Sequence, residues 1–405
     1  MSLNTLSVIL AGGYGSRLLP LTQDRAKPAV PFGGKYRIID FTLANCLHSG
    51  LRRILVLTQY KSLSVQKHLR DGWSVFNPEL GEFVTPVPPQ MHSGEQTYRG
   101  TADAVYQNLN LLLRNGARWI LVLSGDHIYR MDYAPLLKHH RKHKAGMTVA
   151  CMSVPREESS KLSILTSNAH GKVTGFQHKP KDPARDPEDP NRSLASMGVY
   201  VFSLKKLVEA LEADARREDS DHDFDRDIIP WMIGTHGVHA FKFGTDKGRV
   251  TPDRYWCHMD SLDSYYRANM ELLDPVPSLD LYQSDWTIRT YQPQAPPART
   301  VPGASGSEGI CINSIVAGGV VINGGSVQHS ILFPQVHVGD EAVIHDAILF
   351  NGVRVGAGAD LQRCIIDKDV VIPDGERIGF DLAKDATRFT VSDDGVVVVP
   401  RGYRF

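Results

Sequence analysis

Short apolar runs alternate with longer amphipathic segments over the first two thirds of the chain. Such runs are typical of buried strands, and the segments between them have the spacing of helices. The strand-like runs include Leu6–Leu10, Arg53–Thr58, Trp119–Ser124, Met147–Val154 and Gly198–Phe202, and the helical segments include Ala102–Arg114 and Leu204–Glu212. This alternation predicts an α/β domain over residues 1–272 with a mostly parallel sheet, and ligands then bind where the strands end.

The C-terminal part of the chain repeats a different pattern. Ser314, Ser330, Ala347 and Cys364 each begin a short aliphatic stretch, at intervals of 16, 17 and 17 residues. This is about three hexapeptides per coil, which predicts a parallel β-helix over residues 311–405, with a chance valine periodicity as the alternative. A stretch rich in proline and glycine, 273–310, is predicted to be an extended linker between the two domains.

The first strand runs into a glycine-rich turn that is typical of phosphate binding. Gly12, Gly13 and Gly15 lack the Cβ atoms that would keep a phosphate from the backbone N–H groups. Arg17 and Lys27 add two positive charges shortly afterwards. The turn has neither the G-K-[ST] ending of a Walker A loop nor the third glycine of a dinucleotide fingerprint. We therefore expect a nucleoside triphosphate site, and a purely structural turn is the alternative.

Composition narrows the classes of function. The 405 residues suggest two domains, and 45 basic against 45 acidic residues give a net charge of zero. A general nucleic-acid or membrane binder would need a basic surplus, so neither partner is expected. Five scattered cysteines without a CxxC pair favour a reduced, cytoplasmic setting, and no signal peptide or membrane-spanning run is predicted.

Asp126 is the candidate metal ligand, because it follows the strongly apolar run that ends at Ser124. An aspartate at a strand end is suited to holding Mg²⁺ against a triphosphate, although it is equally suited to capping a helix. Lys179 is a candidate phosphate clamp, with an ordinary surface lysine as the alternative. The histidines show no convincing metal-ligand spacing: we expect His139, His140 and His143 to be solvated on a basic helix, and His329, His337 and His345 to lie on β-helix turns.

Motifs along nearly the whole chain resemble those of the bacterial ADP-glucose pyrophosphorylase (glucose-1-phosphate adenylyltransferase) family. The matching motifs are A-G-G-x-G-S-R-L (11–18), R-A-K-P-A-V (25–30), F-G-G-K-Y-R-I-I-D-F (32–41), T-Q-Y (58–60), Y-R-G-T-A-D-A-V (98–105), G-D-H-I-Y (125–129), A-S-M-G-V-Y-V-F (195–202), H-D-F-D-R-D-I-I-P (222–230) and I-R-T-Y (288–291). The resemblance implies a Rossmann-like nucleotidyltransferase domain followed by a left-handed parallel β-helix, which serves regulation and oligomerisation.

The resemblance also implies a reaction and roles for particular residues. ATP and glucose 1-phosphate would give ADP-glucose and pyrophosphate for glycogen synthesis, with Mg²⁺ on Asp126 and with Arg17 and Lys27 stabilising the polyphosphate. The nucleotide-binding residues would be Leu10, Ala11, Gly12, Gly13, Gly15, Gln59, Gly100, Thr101 and Ala102. The sugar-phosphate-binding residues would be Tyr98, Lys179 and Ser196. Family members are tetramers controlled by a metabolite at an inter-domain site, for which Arg25, Arg37, Arg363 and Arg401 match basic positions.

Several positions depart from the family pattern. Ser163 replaces a glycine, His178 a glutamate that contacts the sugar, Asp225 a glycine, and His258 the expected second Mg²⁺ carboxylate. Near the effector motifs, Asp24 and Thr97 replace a basic residue and a tryptophan, which argues against activation by fructose 1,6-bisphosphate. Three possibilities stay open: a working adenylyltransferase, a catalytically weak regulatory subunit that assembles with an active homologue, or a nucleotidyltransferase for another sugar phosphate.

Overall fold

A computed structural model describes residues 4–90, 97–244 and 254–405. The chain divides into two compact units, each made of two stretches of sequence: unit 1 is Met1–Gly13 with Phe41–Trp256, and unit 2 is Tyr14–Asp40 with Cys257–Phe405. The segment that carries Arg17, Arg25, Lys27 and Arg37 therefore belongs to the same unit as the C-terminal repeats. The boundaries at 272 and 310 stay predictions.

Unit 1 is built around one mixed sheet. Its strands are Thr5–Ala11, Arg53–Thr58, Phe83–Val87, Trp119–Ser124, Met147–Pro155, Ser163–Ser167, Val173–His178, Arg192–Ser203 and Val238–Lys242. Thr5–Ala11 lies in the middle and pairs in parallel with Arg53–Thr58 on one side and Trp119–Ser124 on the other. The long strand Arg192–Ser203 runs antiparallel to its neighbours and joins this parallel part to the rest of the sheet.

The parallel strands form where the sequence is almost continuously apolar, because both faces of such a sheet are covered. Leu6, Val8, Ile120 and Val122 are fully buried. Ala11, Thr58 and Ser124 end their strands at one edge, which places the loops after residues 11, 58 and 124 side by side. The α/β fold with its Rossmann-like sheet is confirmed, and this edge is where the predicted ligand chemistry lies.

Both predicted helical segments are helical in the structure, and one of them is interrupted. The helices of the described residues are Ile38–His48, Leu63–Gly72, Thr101–Gln107, Leu109–Arg114, Tyr133–His143, Leu204–Ala215, Ile229–Thr235, Leu262–Met270 and Leu382–Ala386. The single helix expected over 102–114 is interrupted at Asn108, whose side-chain N–H groups donate to the carbonyl of Ala104 and the hydroxyl of Tyr98. An asparagine that bonds nearby acceptors competes with continued helix, and this explains the break.

Unit 2 contains the predicted parallel β-helix. One sheet stacks Arg299–Val301, Val321–Asn323, His337–Val338, Arg354–Val355 and Val371–Ile372. A second stacks Ile310–Ile312, Ser326–Gln328, Val343–His345, Asp360–Gln362 and Arg377–Ile378, and a third stacks Ile315–Val316, Ile331–Leu332, Ile348–Leu349, Cys364–Ile366, Val397–Val399 and Thr390–Val391.

Stacked aliphatic side chains hold the coils of this β-helix together. Val327, Ile344, Leu361 and Ile378 occupy matching positions of successive coils and are all buried. Each coil covers the apolar face of the next, so the repeat is stable as a stack rather than as single coils.

Short strands also occur outside these sheets, at Pro31–Phe32, Tyr36–Arg37, His127–Tyr129 and Trp256–His258. Among the described residues, no helix has the length and apolarity needed to cross a membrane.

Candidate nucleotide and sugar-phosphate site

The turn after the first strand lies against the neighbouring strand end. A Cβ on Gly12 would come within 3.2 Å of the Cβ of Gln59, so a glycine at position 12 lets the two loops approach without crowding. The side-chain oxygen of Gln59 accepts the backbone N–H of Tyr98 at 2.9 Å. A Cβ on Gly13 would meet nothing within 4 Å, and this residue is exposed. Unit 1 thus brings together the predicted residues 10–13, 59 and 98, with an open side at Gly13.

The two predicted cations lie in unit 2, in the segment that follows this turn. Gly15 has a left-handed backbone with φ of 71°, and a Cβ there would come within 3.0 Å of both Lys27 and Thr22. The hydroxyl of Thr22 donates to the Gly15 carbonyl at 2.8 Å. Gly15 therefore allows the chain to fold back so that Lys27 lies beside Gly15. Arg17 is exposed in the short helical turn Ser16–Leu18.

Asp126 lies directly after the strand Trp119–Ser124. The N–H of Gly125 donates to the Leu10 carbonyl at 3.0 Å, which fixes this loop to the end of the first strand. The hydroxyl of Ser124 donates to the Asp126 carboxylate. A strand, His127–Tyr129, follows Asp126, so the alternative that this aspartate caps a helix is wrong. Asp132 takes that role instead, accepting the N–H of Ala134 at 2.9 Å.

The turn at residues 99–102 is tightly joined to the segment 221–225. A Cβ on Gly100 would lie 2.3 Å from the carbonyl oxygen of His222, a distance that only glycine permits. The N–H of Ala102 donates to this same carbonyl at 2.8 Å, and the hydroxyl of Thr101 donates to Asp223 at 2.8 Å. These polar groups are already partnered, so a base at this turn would meet its backbone surface rather than a free N–H of Ala102.

Sequence reasoning missed the role of His222 and Asp223 as supports of this turn. The side chain of His222 bonds Asp214 at 2.8 Å, and both residues are buried. The only sequence signal was that the motif at 222–230 recurs in the family. Nothing in its spacing indicated that it meets residues 100–102, which lie more than a hundred positions earlier.

Ser196 belongs to a buried hydrogen-bond network beside Lys179. The Asp225 carboxylate accepts hydrogen bonds from the hydroxyls of Ser163 and Tyr200, each at 2.6 Å. Ser163 also contacts His178 Nδ1 at 3.2 Å, and the Ser196 and Tyr200 hydroxyls are 3.3 Å apart. Burial, reinforced by the nearby Asp223 carboxylate, raises the pKa of Asp225.

Lys179 follows this network on the chain. It is exposed, has a left-handed backbone with φ of 45°, and donates its N–H to the Leu162 carbonyl at 3.2 Å. The backbone at 162 and 179 thus joins the strands that carry Ser163 and His178. The structure brings two predicted sugar-phosphate residues, Lys179 and Ser196, to the same group of strands.

Comparison with known proteins identifies the family. Residues 6–275 match the family model for nucleotidyl transferase, and residues 296–399 match the one for a GlmU-like C-terminal hexapeptide domain. "Glucose-1-phosphate adenylyltransferase 2" of Vibrio cholerae is 58% identical over 402 residues, 99% of each chain. The protein of the same name from Vibrio parahaemolyticus is also 58% identical, over 99% of this chain and 100% of its own. The chain belongs to the glucose-1-phosphate adenylyltransferase family. The comparisons therefore confirm the family predicted from the motifs.

The adenylyltransferase departures at 163, 178 and 225 lie in contact with one another. Where the family pattern has two glycines and a glutamate, this chain has Ser163, Asp225 and His178, which share one network. Compared with the family pattern, this chain therefore lacks a carboxylate at position 178 and has an additional one at position 225. His258, the fourth departure, ends the short strand Trp256–His258 and is half-buried.

Three of the four predicted regulatory arginines of this adenylyltransferase act electrostatically on one lysine, Lys368. Burial, followed by the charges of Arg37 and Arg25 and more weakly that of Arg401, lowers the pKa of Lys368 to about 7. Arg25 is buried and bonds Asp367 at 2.7 Å, while its Nη1 has no hydrogen-bond partner. All of these residues belong to unit 2. Lys368 and Asp367 were missed because nothing local distinguishes this β-helix turn from the others.

Arg363, the fourth predicted regulatory residue, makes different contacts. Its guanidinium lies 5.7 Å from the centre of the Tyr266 ring and donates to the Asp394 carbonyl at 3.0 Å. Arg401 is half exposed and bonds Asp369 at 3.1 Å. The charges of Arg25, Arg37 and Arg401 thus all act on Lys368, whereas Arg363 has partners of its own.

Proposed function

We propose that the protein catalyses adenylyl transfer from ATP to glucose 1-phosphate, forming ADP-glucose and pyrophosphate for α-glucan synthesis. The observation that carries this proposal is 58% identity over 99% of the chain to proteins named for that activity. The strand-end geometry supports it, because Gly12, Gly13 and Asp126 follow neighbouring parallel strands. The scattered cysteines without a CxxC pair support the reduced, cytoplasmic setting that we propose.

The reaction is an in-line displacement at the α-phosphorus of ATP. A phosphate oxygen of glucose 1-phosphate forms the new P–O bond, and the bond to the β-phosphate breaks so that pyrophosphate leaves. The protein contributes positioning and charge neutralisation, since no covalent intermediate is needed. We assign Arg17 and Lys27 to the polyphosphate and the departing pyrophosphate, and the backbone at Gly12–Gly13 to the triphosphate.

The residues present fit a Mg²⁺ ion at Asp126. Its carboxylate lies at a strand end with 23% of the side chain exposed, and a hydroxyl from Ser124 orients it. Carboxylate oxygens are the ligands that Mg²⁺ takes beside phosphate oxygens. When bound, the ion would neutralise charge on the triphosphate. His258 stands where the family has a second carboxylate, so we assign the metal to Asp126 alone.

The network of Ser163, His178 and Asp225 shapes the sugar-phosphate side. A glutamate at 178 would meet a glycine at 163 in the family pattern, whereas here an imidazole meets a hydroxyl that is itself held by Asp225. We propose that these three residues changed as a set, with Asp225 supplying the carboxylate that position 178 lost. Lys179 would then hold the sugar phosphate as a point charge.

We further propose that unit 2 binds an anionic metabolite effector at Arg25, Arg37, Lys368 and Arg401, and that the protein assembles as a tetramer. The unpartnered Nη1 of Arg25 and the lowered pKa of Lys368 support the first proposal, because both are relieved by a bound anion. Asp24 and Thr97 argue against fructose 1,6-bisphosphate as that anion, so inorganic phosphate is the first probe.

Pyrophosphate release by the purified protein with ATP, MgCl₂ and glucose 1-phosphate tests the proposed reaction. We expect turnover by the wild type and a loss of more than about a hundredfold in Asp126→Ala. Asp274→Asn is the matched control, since this aspartate is exposed and should leave the rate unchanged. Retained activity in Asp126→Ala would refute the metal assignment.

A His258→Asp variant in the same assay separates the alternatives. Turnover by the purified wild-type protein without any partner protein supports a working enzyme. A silent wild type that gains activity in His258→Asp would instead identify a catalytically weak subunit, and turnover with only a different sugar 1-phosphate would overturn the substrate assignment.

The set of three residues is tested by reverting them together and singly. Ser163→Gly, His178→Glu and Asp225→Gly should each raise the KM for glucose 1-phosphate, because each leaves part of the network unpartnered. The triple variant should recover much of that loss, since interacting positions are not additive. Additive losses would show that the three positions act independently.

A further inference from the structure

Three histidines form a cluster in unit 1 that the proposed reaction does not use. His139 and His143 lie one turn apart on the helix Tyr133–His143, and His239 lies on the strand Val238–Lys242 at the edge of the sheet. The ring centres are 4.4 Å apart for 139–143, 4.6 Å for 143–239 and 6.4 Å for 139–239. The expectation that this helix keeps its histidines solvated is wrong: His140 is buried, and His139 and His143 are half-buried.

Two ring nitrogens of this cluster lack hydrogen-bond partners. In the part of the chain that the structure describes, His139 Nε2 and His239 Nδ1 are shielded from solvent and form no hydrogen bond. One ligand nitrogen from each of the three rings lies within 4.8 Å of the other two. Buried polar atoms are normally satisfied by protein, water or an ion, so two unpartnered buried nitrogens within a group of three converging rings point to a bound ligand.

His139 and His239 are in the protonation state that a metal requires. Burial, followed by the neighbouring rings of His143 and His239, lowers the pKa of His139 to about 4, and burial likewise lowers the pKa of His239. Neutral imidazoles have a free lone pair, and a carboxylate is not needed to complete a three-nitrogen site.

The charges around the cluster have opposite effects on the binding of a cation. The ammonium groups of Lys142 and Lys172 act on the cluster and weaken the binding of any cation. His143 is the last residue of its helix, so the negative end of the helix dipole favours a cation there. The Phe241 ring packs edge-on against His139, with centres 5.5 Å apart, and limits access of water from that side.

We propose that His139, His143 and His239 bind one late first-row divalent cation, for which Zn²⁺ is the probe. Imidazole nitrogens at about 2.0–2.1 Å from Zn²⁺ lie about 3.3 Å apart in a tetrahedral site, so ligand nitrogens that now lie within 4.8 Å of one another must approach by up to about 1.5 Å through side-chain rotation. Imidazole ligands select Zn²⁺, Ni²⁺ or Cu²⁺ over Mg²⁺, which prefers oxygen. The ion would fasten the helix to the edge strand and keep a fourth position open.

Equilibrium dialysis of the tag-free, full-length protein against ZnCl₂ in excess MgCl₂ tests this site. We expect one bound Zn²⁺ per chain that His139→Gln weakens by more than about tenfold, because one of three ligands is lost. His170→Gln, at an exposed histidine of the same unit, is the matched control and should bind as the wild type does. Zinc binding that is unaffected by His139→Gln, or no stoichiometric binding at all, would overturn the proposal.

A Co²⁺ spectrum of the wild-type protein identifies the ligand type without relying on the folding of a variant, and it distinguishes histidine from cysteine ligands. Co²⁺ bound to the intact wild-type protein should give the visible bands of a nitrogen-ligated site, which Zn²⁺ then displaces. Bands typical of thiolate ligation, lost in Cys311→Ser, would assign the ion to the exposed cysteine and would refute the three-histidine site.

Discussion

Lys368 is held where a positive charge is unfavourable, and replacing it with methionine should stabilise the protein. Its side chain is half-buried, and Arg37 and Arg25 act on it with like charges. Methionine keeps much of the length and removes the ammonium group. The effect should depend on pH, because the cause is electrostatic.

The shift in pKa gives the size and sign of this effect. The pKa of Lys368 falls from 10.5 in the unfolded chain to about 7 in the fold. Above pH 10.5 both states are neutral and no penalty exists. As the pH falls towards 7, the unfolded chain binds a proton that the folded chain lacks, so the folded state loses about 1.4 kcal/mol per pH unit. Between pH 9 and pH 7 the free energy of unfolding of the wild type should therefore fall by about 2 kcal/mol relative to that of Lys368→Met. Because Lys368 is partly exposed and solvent screens its charge, this value is an upper limit.

Chemical denaturation of both proteins at pH 7, 8 and 9 measures this difference. Other titrating groups cancel when the two free energies of unfolding are subtracted at each pH. The advantage of Lys368→Met should be greatest at pH 7 and should shrink towards pH 9. An advantage that is constant with pH, or that grows towards pH 9, would refute the electrostatic reasoning.

Binding of inorganic phosphate gives a second measurement on the same residue. A bound anion beside Arg25 and Lys368 raises the pKa of the lysine, so binding at pH 8 should take up nearly one proton. Titration calorimetry in two buffers of different ionisation enthalpy detects that uptake, and Lys368→Met should abolish it. Equal uptake by both proteins would place the proton elsewhere.

Three further predictions concern stability and are measured by scanning calorimetry. Gly100→Ala should cost about 3 kcal/mol of stability because its Cβ would lie 2.3 Å from a backbone carbonyl oxygen. The control Gly234→Ala, where a Cβ meets nothing, should be neutral or stabilising. Equal effects of the two substitutions would contradict the close approach at Gly100. Asp367→Asn should cost about 3–5 kcal/mol by leaving the buried charge of Arg25 uncompensated, and a neutral result would show that solvent reaches it. Ile344→Ala should cost about 2–5 kcal/mol in the β-helix core, and a loss below 1 kcal/mol would mean that the coils collapse around the gap.

The strands and the repeat could be predicted from the sequence because their patterns are local. Val8 and Val122 lie in unbroken apolar runs, which are typical of strands covered on both faces. Ile344 and Leu361 recur 17 positions apart, so the stacking of coils follows from spacing alone. The glycine turn at 12–13 and the strand-end aspartate at 126 were found in the same way, since a ligand loop directly follows its strand.

Only the tertiary structure decided which distant residues meet. Ser163 and Asp225 are 62 positions apart, and His139 and His239 are 100 apart, so no local pattern links them. Burial then changed their chemistry: it left the imidazole nitrogens of 139 and 239 unpartnered and raised the pKa of Asp225. The sequence by itself therefore determined the strands, the coils and the motif positions, because these depend on neighbours along the chain. The fold alone decided the charge state of Lys368 and the partners of Asp225, because desolvation and long-range contacts exist only once the chain has packed.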